Sequence, residues 1–312
     1  MTGKIRIAVL AGGWSGERQV SLKSGKAVYE ALNRERYDVT LYDPRDDLET
    51  LIRKKGEIDL AFILLHGRFG EDGRIQGMLD LLQIPFVGSG VLASAMALNK
   101  RVAKDVFRRA GLPVAEDLIL NRGEGFSADE VAERIGVPLV VKPVSEGSSL
   151  GIAIAHDRES IAEDIQKAFQ YDREVMVEAY VAGTEITCCI LGNQVLEALP
   201  VVEIVPTDAY AFFDYEAKYT PGATREICPA PIAPHLAERA GEWAKEAHRA
   251  LGCRVWSRSD MIIRDETLYL LETNTIPGMT ETSLFPLAAR AAGMSLSDLL
   301  DRMIALSLEA CL

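Results

Sequence analysis

Over the first 95 residues, short apolar runs alternate with longer stretches whose apolar residues recur every three to four positions. KIRIAVLAGG reads as a buried strand ending in a glycine turn, and DVTLYD, DLAFILLHG and PFVG read as further strands. Between them VSLKSGKAVYEALNR, DDLETLIRKKG and RIQGMLDLLQ carry a helical period. Strands and helices alternating through short connections predict a doubly wound parallel sheet. Ligands of such sheets bind past the carboxyl ends of the strands, which puts WSGERQ and HGRFGEDG, with Glu17 and His66, at the functional edge.

After Lys100 the pattern changes. ASAMALNKRVAKDVFRRAG reads as one helix, PLVVKPVSEGSSLGIAIA as strand, small-residue loop and strand, SIAEDIQKAFQ as a helix, and EVMVEAYV as a strand. EITCCILGNQVLEALPVVEIVP predicts two or three antiparallel strands, FFDYEAKYTPG a long loop, and PHLAERAGEWAKEAHRALG a helix. A hairpin and a final helical region complete an α/β chain with an α+β C-terminal part.

The hairpin, SRSDMIIRDETLYLLETNTIPGM, carries an acid at the far end of each apolar run. With the turn centred near Glu266, antiparallel pairing sets Asp260 opposite Glu272 and Arg258 opposite Asn274, all four on one face. Two adjacent carboxylates repel. Either both face solvent at a strand end, or a hard divalent cation lies between them, for which Mg²⁺ suits carboxylate and amide oxygens. Arg258 and Asn274 on the same face favour a site.

VVKPVSEGSSLG has the composition of a phosphate cradle: Lys142 leaves a buried strand, and Ser145, Gly147, Ser148, Ser149 and Gly151 let backbone N–H groups fold over an anion. It is not a Walker A loop, and a plain hairpin turn is the alternative. VGSGVLA matches a dinucleotide fingerprint in form only, since it follows a late strand. TETSLFPLAARAAG opens a helix with Thr and Ser at N-cap positions, where capping and anion binding both occur.

With 312 residues and 48% apolar content, the chain can build two or three cored domains of roughly 100–150 residues. A formal charge of −12 argues against non-specific nucleic-acid binding and against anionic membrane surfaces. The five cysteines are scattered without CxxC spacing and read as buried thiols of a reducing compartment. The apolar part of MTGKIRIAVLAGG is too short for a signal peptide, and no run approaches the roughly 18 apolar residues of a membrane helix. A cytoplasmic protein is expected.

Taken together, AGGWSGERQVSLKSG, LHGRFGEDGRIQGMLD, PFVGSGVLASAMALNK, VVKPVSEGSSLG, DYEAKY and ETNTIPGMTETSL resemble the D-alanine–D-alanine ligase family of the ATP-grasp superfamily, along essentially the whole chain. The resemblance implies three domains (1–98 for substrate, 99–183 central, 184–312 catalytic with a lid at about 207–224), with ATP between the last two. It also implies joining of two D-alanines through an acyl phosphate, a homodimer, and two Mg²⁺ ions, replaceable by Mn²⁺, on Asp260, Glu272 and Asn274. By the same resemblance Lys100, Lys142, Ser148, Ser149 and Lys218 are phosphate contacts, Glu178, Ala179 and Val181 adenine contacts, and Glu185 the ribose contact. Glu17 and His66 are matched to the first substrate, Ser283 and Leu284 to the second substrate's carboxylate, Arg258 and Gly278 to the oxyanion. Tyr219 is matched to the lid hydrogen bond that runs through Ser148 to Glu17. EAKY is that of dipeptide-forming members, favouring D-alanine over D-lactate as acceptor, and Ile276 stands where many members carry serine. Other acceptors, D-serine among them, and a sensor without turnover remain the alternatives.

Overall fold

A computed structural model describes residues 3–147, 150–206 and 224–309. Ser148, Ser149, Lys218 and Tyr219, the greater part of the expected lid, and Cys311 lie outside the described residues.

The four expected N-terminal strands form one parallel sheet in the order β2-β1-β3-β4, with β1 Ile5–Leu10, β2 Tyr37–Tyr42, β3 Leu60–Ile63 and β4 Phe86–Val87. Helices α1 Arg18–Ala31, α2 Pro44–Arg53 and α3 Arg74–Leu82 connect them. Asp43 caps α2 by accepting from the Arg45 N–H, with Pro44 at the first helical position, where its missing N–H leaves no bond unmade.

The stretch expected as one helix is two, α4 Val91–Leu98 and α5 Lys100–Arg109. Asn99 is extended (φ −78°, ψ 101°), and its side chain accepts from the Val102 N–H at 3.0 Å, starting a new helix. No glycine or proline marks the break.

The central sheet is antiparallel in the order β5-β8-β6-β7: β5 Asp117–Asn121, β6 Leu139–Pro143, β7 Ala153–Ala155 and β8 Glu174–Ala179. Helices α6 Ala128–Ile135 and α7 Arg158–Ala168 cover one face and close a core containing Leu139, Val141, Val175 and Val177. β5 and α6 were not foreseen. The even-numbered residues Lys142 and Glu178 lie on the opposite face.

The third sheet runs β12-β11-β9-β13-β14, with β10 Leu196–Ala198 on β9; its strands are β9 Thr184–Gly192, β11 Val202–Pro206, β12 Thr224–Ile227, β13 Val255–Arg264 and β14 Thr267–Asn274. Helix α8 Pro234–Ala250 packs on one face. The other face, with helices α9 Leu284–Ala291 and α10 Leu296–Glu309, merges with the N-terminal sheet in one continuous core. Trp256, fully buried, pins this junction edge-to-face between Phe62 (6.4 Å) and Phe285 (5.3 Å). Among the described residues no helix is long and apolar enough to cross a membrane.

Candidate active site

The hairpin pairs Asp260 with Glu272 and Arg258 with Asn274, as expected, but not through the expected turn. Asp265 and Glu266 both take left-handed backbone (φ 47° and 65°) and form a two-residue turn that pairs Arg264 with Thr267. Carried on unbroken, that register would set Asp260 against Leu271. Glu272 and Asn274 would then follow Leu268 and Leu270 into the core beneath α8. A bulge at Leu271 shifts the register between Met261 and Asp260 and turns both polar residues over to the face of Arg258.

On this face Asp260 Oδ1 accepts from Arg258 Nε at 2.8 Å and from the Thr187 hydroxyl at 2.6 Å. Its Oδ2 accepts from Arg258 Nη2 at 2.7 Å. The Asn274 amide lies between the acids, 3.4 Å from Asp260 Oδ2 and 3.4 Å from Glu272 Oε1. Burial opposes the Arg258 charge, but the Asp260 carboxylate outweighs it and raises the guanidinium pKa. Rotating the Asn274 amide presents its oxygen and frees a lone pair on Asp260 Oδ2. The donor set is then two carboxylates and an amide, a set that fits a hard divalent cation completed by water and phosphate. Among the described residues no three His, Cys, Asp or Glu side chains are grouped to hold a metal, and a cation on this face would need the Asn274 oxygen beside the two carboxylates.

Glu272 and Asn274 line a cleft together with Glu71, Lys100, Glu146 and Gly147. Lys100 Nζ donates to the Glu146 carbonyl at 2.6 Å, and the Ser145 N–H donates to Asp172 at 2.7 Å, fixing the small-residue loop on its central side. Toward the N-terminal sheet, Glu146 pairs with Arg68 at 3.8 Å. A Cβ on Gly147 would lie 2.7 Å from Glu17 Oε2, and one on Gly67 would also collide with that oxygen. Both glycines are therefore required for the Glu17 carboxylate to reach the loop.

Lys142 does not point free into the cleft. It pairs with Glu178 Oε1, while Lys104 Nζ takes Glu178 Oε2 at 2.8 Å and Asp117 at 3.0 Å. Burial alone would push the Glu178 carboxyl up, but the two lysines hold it down at about 2. Glu185 shares the sheet face of Thr187 and Asp260, opposite Ile262. Ala179 donates its N–H to Glu116 O at 2.9 Å, and Val181 is buried.

His66, expected beside the first substrate, makes its hydrogen bonds within the protein. Its Nδ1 lies 3.1 Å from the Ile276 carbonyl and its Nε2 3.3 Å from the Ser24 hydroxyl, so both ring nitrogens are used within the protein. Ser283 precedes α9 without capping it; its hydroxyl accepts from the Thr280 N–H at 3.0 Å and lies beside Gly278. The Leu284 N–H, at the first helical position, belongs to the set without intrahelical partners.

Three residues of the site were missed. Glu71, in the quoted HGRFGEDG, accepts from the Gly67 N–H at 2.6 Å, and burial next to Glu17 and Glu272 raises its carboxyl to about 8. Thr187 reads as an ordinary strand residue. Lys104 sits one helical turn from Lys100, but sequence alone does not separate a buried lysine from a solvated one.

Two family models match: "D-ala D-ala ligase N-terminus" over residues 6–49 and 43–89, and "D-ala D-ala ligase C-terminus" over 106–305. The chain is 54% identical over 308 residues to a protein of Syntrophobacter fumaroxidans named D-alanine--D-alanine ligase, covering 99% of each. Of solved structures, it resembles the D-alanine--D-alanine ligase of Bacillus anthracis complexed with ATP, with TM-score 0.86, 35% identity and 98% of each chain covered. It also resembles the VanG D-Ala:D-Ser ligase of Enterococcus faecalis, with TM-score 0.84, 32% identity, 98% of this chain and 100% of that one. The expected ATP-grasp fold class stands on these likenesses. Its matching models at both ends, its near full-length identity to relatives and its three-sheet fold make this chain a member of the D-alanine–D-alanine ligase family.

Proposed function

We propose that the chain joins two D-alanine molecules into D-alanyl-D-alanine with cleavage of ATP to ADP and phosphate, supplying peptidoglycan precursors. The observation that carries this is the single hairpin face on which Arg258, Asp260, Glu272 and Asn274 meet, opening to the same cleft as Lys100 and the Gly147 loop. The name of the 54% relative supports the substrate, and the ATP complex of the B. anthracis enzyme supports the nucleotide.

In this reading Asp260, Glu272 and Asn274 hold two Mg²⁺ ions, or Mn²⁺, which supply neutralisation of the triphosphate charge. Lys100 and Lys142, with Ser148, Ser149 and Lys218, bind phosphates; Glu178, Ala179 and Val181 frame the adenine and Glu185 the ribose. Both Glu178 oxygens are taken by lysines, which supports a recognition of adenine resting on its neighbours' backbone. Glu17 holds the first D-alanine's ammonium. That substrate's carboxylate attacks the γ-phosphorus, and the second D-alanine's amine then attacks the resulting acyl phosphate, expelling phosphate. Arg258 and the Gly278 N–H stabilise the tetrahedral oxyanion between these events. Ser283 and the Leu284 N–H clamp the second carboxylate. Tyr219 closes the lid through Ser148, keeping water from the acyl phosphate.

The division at 98/99 and 183/184, a cytoplasmic location and a homodimer are part of the same proposal, supported by the family resemblance. The test is phosphate release and product analysis with ATP, Mg²⁺ and D-alanine, D-serine or D-lactate. D-alanyl-D-alanine formed fastest with D-alanine is the expected result. Phosphate release equally fast without D-alanine overturns the ligase reading. A faster D-serine product would instead favour the second reading, which the likeness to the D-Ala:D-Ser ligase supports.

A further inference from the structure

Between Asn274 and helix α9 the chain runs through Ile276, Pro277, Gly278 and Met279, and it is tied down on both sides of Gly278. Upstream, the Ile276 carbonyl lies 3.1 Å from His66 Nδ1. Downstream, the Met279 N–H donates to Ser24 Oγ at 3.3 Å. Ser24 Oγ is in turn 3.3 Å from His66 Nε2, which closes the ring. All four residues are buried, Ser24 and Met279 wholly so.

Donor and acceptor logic allows one neutral arrangement of protons. A carbonyl only accepts, so His66 Nδ1 carries the hydrogen. A backbone N–H only donates, so Ser24 Oγ accepts from Met279, and the hydroxyl hydrogen is left for His66 Nε2. The ring is thus neutral and protonated on Nδ1. Burial, and after it the Arg258 charge, pushes the His66 pKa down to about 4 despite the Ile276 carbonyl, in agreement with that geometry.

We propose that Ser24 and His66 are positioning residues which aim the Gly278 N–H at the reacting centre. The proposal rests on the oxyanion role given to Gly278 above. With Ile276 and Met279 fixed, only Pro277 and Gly278 lie between, and the ring of Pro277 holds its own φ near about −65°. The direction of the Gly278 N–H is then set from the N-terminal sheet, through α1 and the loop after β3. A hydrophobic residue at 276 suits this: the Ile276 side chain is buried in the shared core while its carbonyl takes the histidine.

Two measurements decide it. In the uniformly ¹⁵N-labelled protein at neutral pH, long-range ¹H–¹⁵N spectra should show His66 protonated on Nδ1 and bare on Nε2; the opposite tautomer overturns the proposal. In Ser24→Ala, kcat should fall about ten- to a hundredfold with KM for ATP within about twofold, because a displaced transition-state donor affects the chemical step. Affinity for a phosphinate dipeptide analogue, a tetrahedral mimic, should fall by the same factor as kcat. Ser24→Cys, which keeps a weak donor and acceptor, should recover part of both, and it decides the kinetics if Ser24→Ala does not fold. Unchanged kcat and phosphinate affinity in the serine variants, with Arg258→Ala strongly impaired, overturns the positioning role alone. If Arg258→Ala is equally unimpaired, the oxyanion reading beneath it falls as well.

Discussion

In the body formed by the first and third sheets, buried ionisable rings are kept neutral, whereas the central sheet buries its groups charged. His66 and His248 are almost fully enclosed, and burial pushes both imidazoles down to about 4. His248 Nδ1 meets the Ser257 hydroxyl at 2.7 Å, and its Nε2 has no partner among the described residues. Under the central sheet's open face Lys104, Lys142 and Glu178 are as deeply buried but ionised and cross-paired. The two regions also differ in their cores. The body's core is continuous across two sheets, while the central core draws on no residue of the others. Helix α5 joins them: Ala103 and Phe107 sit in the body's core beneath α8, and Lys100 and Lys104 reach into the central region. The face proposed to hold metal thus stands on the larger unit, and the loop proposed to hold phosphate on a smaller one.

The largest effect expected from disturbing the body is insertion of one alanine between Asp260 and Met261, which gives Leu271 a partner on β13 and removes the bulge. Removing the bulge returns Glu272 and Asn274 to the face of Leu268 and Leu270, where burying an unpaired polar group costs about 2–7 kcal/mol. Loss of ligase activity together with a large fall in thermal stability is expected from activity assays and calorimetry. Near-normal activity would show that the hairpin does not depend on its bulge.

For the central region the corresponding test is Lys104→Met. It leaves Asp117 and Glu178 short of a buried cation, and breaking a buried pair costs about 3–5 kcal/mol. Hydrogen exchange should accelerate in β5, β6 and β8 more than in β1 or β13. Uniform acceleration across all three sheets would mean that the two regions unfold as one.

Arg258→Ala probes chemistry, on top of the stability lost when Asp260 is left without its buried partner. Loss of one transition-state donor lowers kcat by about 10²–10³-fold, equivalent to about 2.7–4 kcal/mol, while ATP binding changes far less. Near-normal turnover in steady-state assays would remove Arg258 from the mechanism.

The sequence carried the parallel sheet plainly, because DLAFILL or KIRIAVL buried on both faces has few alternatives. The hairpin face was also legible, but for a partly wrong reason: the turn centred on Glu266 and the observed two-residue turn plus bulge give the same pairing at Asp260. Nothing in LYLLETN announces a bulge, since it is fixed by the conflict between apolar Leu268 and Leu270 and polar Glu272 over one face. The partners of His66 stayed out of sight for a related reason. A histidine in a glycine-rich loop at a ligand edge reads as a contact, and only the fold reveals Ser24 and Ile276, 42 and 210 residues away, as its partners. Lys104 stayed hidden because KRVAKD gives no sign of which lysine the central sheet covers.

Acid should separate the two regions with no atom removed. A histidine whose folded pKa of about 4 lies below its unfolded value of about 6.5 contributes stability that is complete above pH 6.5 and is lost as pH falls toward 4. In that window the unfolded chain takes up a proton that the folded ring refuses. Well inside it, each of His66 and His248 removes about 1.4 kcal/mol per pH unit from the two-sheet body, while Glu71, held at about 8, returns about as much as one of them because its folded carboxyl takes up a proton before the unfolded one does. Glu178 works in a lower window: held at about 2 against an ordinary carboxylate value near about 4.5, it withdraws stability from the central sheet only as pH drops between those values. Hydrogen exchange corrected for intrinsic rates, followed from pH 7 to pH 4.5, should therefore show protection falling first in β1, β9 and β13 while β6 and β8 hold. The replacement His248→Gln, neutral at every pH, should cancel most of the slope left in the body, where Glu71 offsets His66, and leave the central sheet untouched. If β6 and β8 lose protection first, or both regions fall together, the contrast between neutral and charged burial does not govern how the protein responds to acid.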